Sequence, residues 1–310
     1  MVDQIKVKNY FNENSGSWIK DAYKQAGYNY LTPLHRVRVV KYILKQLENI
    51  KHLLDVGCGA GHLALSIAEL GIKVQGIDQD KKMIQQSQEA LSKLTESNND
   101  LLSFELKSVD KLGLEENNYD ALTAMGLIGY LPSDETLFKI ASRNLRKNGY
   151  LIVSFRNRLF NLFSISKRTL AEVNRGTFGI LMEEIDQLYE KVDNKTVMDF
   201  ISELHAVTGE ILEDKTLLSQ TKQSPKEEVF TSDIEARQTT PNDAIKTAEN
   251  CGFKSISFTG IHPHLSLPRL NQTLPPQIYN RLCDSLIPFE NSTESLLWSS
   301  VFIGVFQKLD

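Results

Sequence analysis

Between residues 51 and 155 the apolar positions of this chain alternate between two rhythms. Short apolar runs of strand length stand at 53–56, 73–78, 101–107, 119–125 and 149–155. Between them, apolar residues recur every three or four positions, which predicts helices at about 62–70, 81–94 and 134–146. The second of these carries Met83, Ile84, Ser87, Ala90, Leu91 and Leu94 on one face. Ser133 and Asp134 are residues that cap a helix start. Asn148-Gly149 is a turn signal before the apolar run Tyr150-Leu151-Ile152-Val153. This alternation predicts an α/β fold, a doubly wound and mostly parallel sheet with helices on both faces.

The flanks follow other rules. Residues 1–50 predict a helical cap, with Val39, Val40, Ile43, Leu44 and Leu47 at helical spacing. Residues 156–240 break the alternation and predict a helical insertion, with helices at about 158–174, 178–192 and 195–212. Leu181, Ile185, Leu188 and Val192 share one face there; Val197, Ile201, Leu204 and Val207 share another. A polar connection runs from Glu213 to Thr240. Residues 241–310 complete the sheet: a short helix to about Asn250, a stop at Gly252, a strand at 255–258 and a last strand near 298–306. The core proper is expected at 51–155.

A length of 310 residues with 41% hydrophobic content suits one large domain with an elaboration and a sizeable core. A net charge of −4 argues against a broad nucleic-acid surface. Three cysteines are too few for a disulfide framework, so a reducing cytoplasm is expected. The first ten residues show no signal-peptide pattern, and no uncharged apolar run reaches the roughly 18 residues of a membrane span.

Chemistry enters with Leu53-Leu54-Asp55-Val56-Gly57-Cys58-Gly59-Ala60-Gly61-His62. An acid and three alternate glycines stand between a strand and a helix. Glycines in such a turn adopt backbone angles barred to other residues and let a ligand approach the main chain. Asp78 ends the next strand, about twenty residues on, where a doubly wound fold places an acid to hold ribose hydroxyls. A nicotinamide dinucleotide site uses the same acid but wants Gly-x-Gly-x-x-Gly, and here the last position is His62. An Asp two residues before Gly-x-Gly-x-Gly instead resembles motif I of the class I S-adenosylmethionine methyltransferases.

The resemblance extends further. Ser108 and Val109 stand where many members of that family have an Asp and a small residue at the adenine edge. The segment from Tyr119 to Pro132 is similar to the motif II region, with Met125 at the strand's carboxyl end. Arg146-Lys147-Asn148-Gly149 stands where the family often has Lys-Pro-Gly-Gly. Leu34-His35-Arg36 and Asn157-Arg158 resemble segments of the ubiquinone-biosynthesis O-methyltransferase group. The resemblance implies a seven-stranded, Rossmann-like methyltransferase fold with S-adenosylmethionine as cofactor. The cofactor residues it implies are Arg36, Asp55, Gly57, Cys58, Gly59, Gly61, Asp78, Gln79, Ser108, Val109 and Met125. Asp55 would orient the loop or accept from the cofactor ammonium, and Asp78 would accept both ribose hydroxyls. Arg36 or Arg38 would pair with the methionine carboxylate. A solvated helix face is the plainer role for these arginines, and simple packing the plainer role for Cys58.

A hydroxyl acceptor needs a base or a metal to take its proton, while a neutral amine does not. The candidate catalytic residues are His205, His262, His264 and Tyr130. A turn with surface histidines is the alternative at His262-Pro263-His264, and no metal is expected there, because no carboxylate or cysteine lies near in sequence. Trp18 is a further candidate for the acceptor pocket. Between 155 and 168, Arg156, Arg158, Lys167 and Arg168 bracket Phe155, Leu159, Phe160, Leu162 and Phe163. That stretch fits a peripheral membrane or lipid contact, an anionic substrate, or a lid packed on the core. The expected function is methyl transfer to a hydroxyl, less so an amine, of a small molecule: a sugar or glycan precursor, a quinone-like phenol or another secondary metabolite. A non-catalytic S-adenosylmethionine-binding sensor or accessory subunit and an NAD(P)-dependent oxidoreductase are the competing classes. No nucleic-acid partner is expected.

Overall fold

The structure, a computed structural model, describes residues 6–7, 9–10, 13, 27–93, 100–109, 112, 119–216, 236–271 and 273–309. Trp18 and most of the expected polar connection lie outside these residues. The strands in chain order are β1 (His52–Val56), β2 (Lys73–Asp78), β3 (Leu102–Leu106), β4 (Tyr119–Ala124), β5 (Leu145–Arg156), β6 (Phe253–Pro263) and β7 (Ser299–Lys308). They form one seven-stranded sheet in the order β3-β2-β1-β4-β5-β7-β6. Pairing is parallel from β3 to β5 and antiparallel where β7 meets β5 and β6.

The sequence explains why the sheet is covered on both sides. Successive strand residues face opposite ways. Leu53 belongs to one core cluster and its neighbour Leu54 to the other, and both are fully buried. The first cluster packs against helix α1 (Pro33–Gln46) through Val39, Val40 and Ile43, and against α2 (His62–Ala68) through Ala64 and Ile67. The second gathers Val153, Phe155, Phe302 and Phe306 under Phe138 and Ala141 of α4 (Asp134–Asn144); α3 (Lys81–Leu91) lies between β2 and β3 in the chain. The helix starts are specified locally. Asp80 accepts from the backbone of Lys82 and Met83 ahead of α3.

The insertion differs from its expected outline. The helix expected over 158–174 is two: α5 (Phe160–Ser164) and α6 (Lys167–Asn174). Ile165 turns into the left-handed region at φ 42°, and Ser166 starts α6 in a capping box with Thr169. Helix α7 (Phe178–Tyr189) buries Leu181 and Leu188 as its pattern predicts. On α8 (Asn194–Glu213) the face with Ile201 is half exposed, and Phe200 does the packing, stacked on Trp298. Thr240 caps α9 (Pro241–Asn250), and Gly252 follows at φ 82°. Strand β6 runs well past the expected 255–258, so His262 and Pro263 lie within it rather than in a turn after it.

Candidate active site

A cavity of about 1550 Å³ opens at the carboxyl ends of the central strands, beside the point where strand order reverses between β1 and β4. A typical small-molecule site occupies about 300–1,000 Å³, so this one has room for two ligands.

Its first half is built from strand ends. Gly57 and Gly59 line it, as do Asp78, Gln79 and Asp80 at the end of β2, Ser108 and Val109 after β3, and Met125 and Gly126 after β4. The backbone amides of Gly57 and Cys58 both donate to the Ile77 carbonyl, which folds the glycine turn over β2. Asp78 accepts from Gly59 N at 2.9 Å and Asp80 N at 2.9 Å, while burial pushes its carboxyl pKa up. Arg36 reaches in across Gly126: a Cβ added there would lie 2.8 Å from the guanidinium. The bare Gly126 backbone, at φ 75°, is therefore what lets Arg36 lie where it does. Gly126 carried no distinguishing mark in the sequence beyond following Met125.

Three expected cofactor residues do not line the cavity. Asp55 is 2% exposed and lies between strands, accepting from Thr123 Oγ1 at 2.7 Å across the β1–β4 pair. Its second oxygen has no hydrogen-bond partner among the described residues, and burial raises its pKa to about 7. Cys58 is buried with its sulfur over Gly76, and burial raises its thiol pKa. Gly61 starts α2 at φ 81°, with the Phe104 ring where a side chain would be. All three shape the turn from behind. Arg38 is also outside the cavity, paired with Glu290.

The second half is assembled from distant segments: Tyr130, Arg156, Asn161 and Arg168, then Gln238, His262 and Ser300. The short segment at 236–239 is tied down by Arg237, which donates to the carbonyls of Leu131 and Ile128 and pairs with Asp134. Thr239 bridges to Asn157 beside β5. Helix α6 is held by Glu172, which takes a two-pronged contact from Arg158 at 3.0 and 2.7 Å. Asn161 and Thr177 also donate to it.

Of the four candidate catalytic residues, Tyr130 and His262 line the cavity. His205 is exposed on α8, away from it, because the packed face of that helix carries Phe200. His264 is packed on Phe160 and bonded to Ser300 Oγ at 3.2 Å, with burial holding its pKa down at about 4. His262 is 9% exposed and sits at φ 56°, and its Nε2 has no hydrogen-bond partner among the described residues. Its backbone N–H donates to His35 Nδ1 at 3.3 Å, and His35 Nε2 meets Glu290 at 2.8 Å. His35, part of the Leu34-His35-Arg36 segment, thus positions His262 while Arg36 faces the cavity. In the 155–168 stretch, Phe155, Leu159 and Phe160 are buried and Ile165 is exposed. Among the described residues no helix is long and apolar enough to cross a membrane.

The family described as a methyltransferase domain matches residues 47–224. The ubiquinone biosynthesis O-methyltransferase of Hydrogenovibrio crunogenus is 28% identical over 174 residues, 54% of this chain and 69% of that protein. The protein of the same name from Coxiella burnetii is 28% identical over 136 residues, 43% of this chain and 56% of its own length. Magnesium protoporphyrin IX methyltransferase from Synechocystis shares the fold, with a TM-score of 0.54 at 14% identity over 98% of this chain and 99% of that one.

Proposed function

The chain belongs to the S-adenosylmethionine-dependent methyltransferases, and from that membership we propose that it methylates a hydroxyl of a small molecule, a quinone-like phenol fitting best. The observation that carries this reading is His262, buried in the cavity wall with one ring nitrogen unpartnered. The donor fits the first half of the cavity. Asp78 offers a carboxylate for the ribose hydroxyls, Gly57 and Gly59 offer bare backbone, and Arg36 lies across Gly126 to take a carboxylate. When bound, S-adenosylmethionine supplies an electrophilic methyl group on a sulfonium sulfur.

The rest is proton chemistry at His262. The Nε2 of the ring, without a hydrogen-bond partner among the described residues, carries the lone pair that would accept the proton. Burial, and then the nearby Arg36, His35 and His264, hold its pKa well below the usual histidine range. The ring is neutral at neutral pH and can accept a hydrogen bond from the acceptor hydroxyl, although burial opposes its full protonation. A base this weak suits an acidic hydroxyl, and a phenol with a pKa of about 10 is far more acidic than an alkyl alcohol. The names of the two relatives, which describe O-methylation in ubiquinone biosynthesis, point the same way. A neutral amine acceptor, which needs no base before the transfer, would make less use of His262. The reading includes a cytoplasmic location, in keeping with the free thiols of Cys58, Cys251 and Cys283.

The test pairs two variants. Asp78→Ala is expected to weaken S-adenosylmethionine binding about 100-fold by calorimetry, from the loss of charged hydrogen bonds. His262→Asn keeps a residue that tolerates positive φ, and is expected to lower kcat on catechol-type acceptors about 100-fold with donor affinity unchanged. Full turnover by His262→Asn would remove the base. Stabilisation of the protein by NAD(P) and not by S-adenosylmethionine would overturn the donor.

A further inference from the structure

We propose that Glu290 and His35 are positioning residues for methyl transfer: Glu290 fixes which ring nitrogen of His35 carries the proton, and the bare nitrogen holds the backbone of His262. This rests on the hydroxyl-methylation reading for what His262 does with a substrate, but its own support is how the backbone at His262 is held. His262 sits at φ 56° inside β6, although Ile261 pairs with Val301 and Pro263 with Ser299 on either side of it. A side chain in this left-handed region is strained, and such a residue persists only where its surroundings over-determine it.

The hold comes from side chains. The His262 N–H donates to His35 Nδ1 at 3.3 Å, and the His262 carbonyl accepts from Ser300 Oγ at 3.3 Å. One residue on, the Pro263 carbonyl accepts from the buried Tyr279 hydroxyl. An imidazole nitrogen accepts only when it carries no proton, so the neutral His35 ring must keep its proton on Nε2. That Nε2 meets Glu290 Oε1 at 2.8 Å. A carboxylate only accepts, so Glu290 selects the tautomer that the His262 N–H requires. With the other tautomer two N–H groups would face each other, and a buried backbone donor would be left unpaired.

Glu290 is placed for this task between α1 and β6. His35 and Arg38 stand three residues apart on α1, and so on one face, and both reach its carboxylate. Its own carbonyl accepts from Gly260 N at 2.9 Å, and its neighbour Asn291 accepts from Thr259 Oγ1 at 2.6 Å. Glu290 therefore grips β6 directly at Gly260 and, through His35, two residues on at His262. The Tyr30 ring packs edge-on against His35 at 5.0 Å and limits its rotation. His35 is buried and, like Glu290, does not line the cavity, whereas His262 does. A histidine paired with a third group that orients it is a common form of general base. Here both nitrogens of His35 are engaged away from the cavity, so the pair acts on His262 through the main chain.

The experiment reads the tautomer first, by nitrogen NMR of ring-labelled histidine in the full chain saturated with S-adenosylhomocysteine. His35 is expected as Nε2–H with a bare Nδ1. Glu290→Gln is expected to admit the other tautomer, since an amide donates as well as accepts. Two substitutions then separate the contacts. Asn places an oxygen where Nδ1 stands and can still accept from His262, whereas Gln reaches Glu290 and gives up the His262 contact. His35→Asn is expected to keep about tenfold more kcat on catechol than His35→Gln, because a misplaced base loses rate steeply. The His262 amide is expected to exchange hydrogen faster in His35→Gln than in His35→Asn. S-adenosylhomocysteine affinity is expected to hold in both, which certifies the fold. A His35 that only tied Glu290 to α1 would give the reverse order, with Gln the better substitute. That order, equal rates in the two variants, or a proton on Nδ1 in the unaltered protein overturns the proposal. The tautomer is read on the unaltered protein and so decides even where a substitution prevents folding. Any of these results, with His262→Asn still impaired on catechol, leaves hydroxyl methylation standing. Full turnover by His262→Asn would instead bring down the functional reading, and with it the role in transfer assigned to His35 and Glu290.

Discussion

Each half of the cavity is braced by one buried carboxyl group, and the two groups are held in opposite states. Asp55, 2% exposed, lies inside the sheet beneath the glycine turn, where burial raises its pKa to about 7. Glu172, equally buried, lies behind the acceptor wall, where hydrogen bonds from Arg158 lower its pKa to about 2. The first has a hydroxyl for a partner, the second a guanidinium, an amide and a hydroxyl. The proposed donor half is thus a property of the sheet, while the proposed acceptor half depends on an ion pair that pins an inserted helix. The two halves should therefore fail under different conditions.

The largest expected effect is on pH dependence. A carboxyl whose folded pKa is raised stabilises the fold below its unfolded pKa and loses that contribution as pH climbs through the folded value. For Asp55 the window runs from 3.8 to about 7. A shift of that size corresponds to about 4 kcal/mol of stability lost between the two limits. Asn mimics the protonated carboxyl in shape. Asp55→Asn is therefore expected to flatten the fall in Tm of the ligand-free protein between pH 4 and pH 8, and to raise stability at the upper end. Parallel curves for the two proteins would show that Asp55 is ionised in the folded state, and the contrast with Glu172 would collapse.

These two braces also mark what could be read from the chain alone. The half of the cavity proposed for the donor could be located from the sequence because its parts are local: Gly57, Gly59, Asp78, Ser108 and Met125 each line the cavity at or just after the end of a strand. Strand period and glycine placement are short-range signals. What misled was proximity, since Asp55, Cys58 and Gly61 belong to the same turn yet face the protein interior. The acceptor half was scarcely legible. Gln238 reaches the cavity because its segment is anchored from afar, by Arg237 to Leu131 and Ile128, more than a hundred positions away, and by its own bonds to Asn161. His205 and His264 look like His262 in sequence, and only packing separates an exposed helix residue and a ring packed at a tilt on Phe160 from one that lines the cavity.

A smaller effect should confirm that the halves come apart separately. Glu172→Gln leaves Arg158 without its carboxylate in a half-buried site. Breaking such a pair is expected to cost about 2 kcal/mol locally, less than for a fully buried one because Arg158 keeps some access to solvent. Hydrogen exchange across α5 and α6 should accelerate, and acceptor affinity should fall. Affinity for S-adenosylhomocysteine should hold within about twofold, since additivity is the rule for distant sites. If donor affinity falls equally, the halves are one mechanical unit.

The smallest effect probes the border between them. Arg36 lines the proposed donor half, yet it also lies near enough to His262 to lower that histidine's pKa. Gly126→Ala would add a Cβ 2.8 Å from the Arg36 guanidinium, at a backbone φ of 75°. The strain costs about 1 kcal/mol, and the clashing atom is the terminal nitrogen of a long side chain, so the fold should survive while Arg36 shifts. Loss of that one charged contact should weaken S-adenosylmethionine and S-adenosylhomocysteine about tenfold, because both carry the carboxylate. Adenosine, which lacks it, should bind as before. Adenosine weakened to the same degree would place the damage in the glycine turn rather than at Arg36. If only the two amino-acid-bearing ligands suffer, and His262 then titrates at a higher pH in the variant, Arg36 is the residue through which donor binding is felt at the acceptor's base.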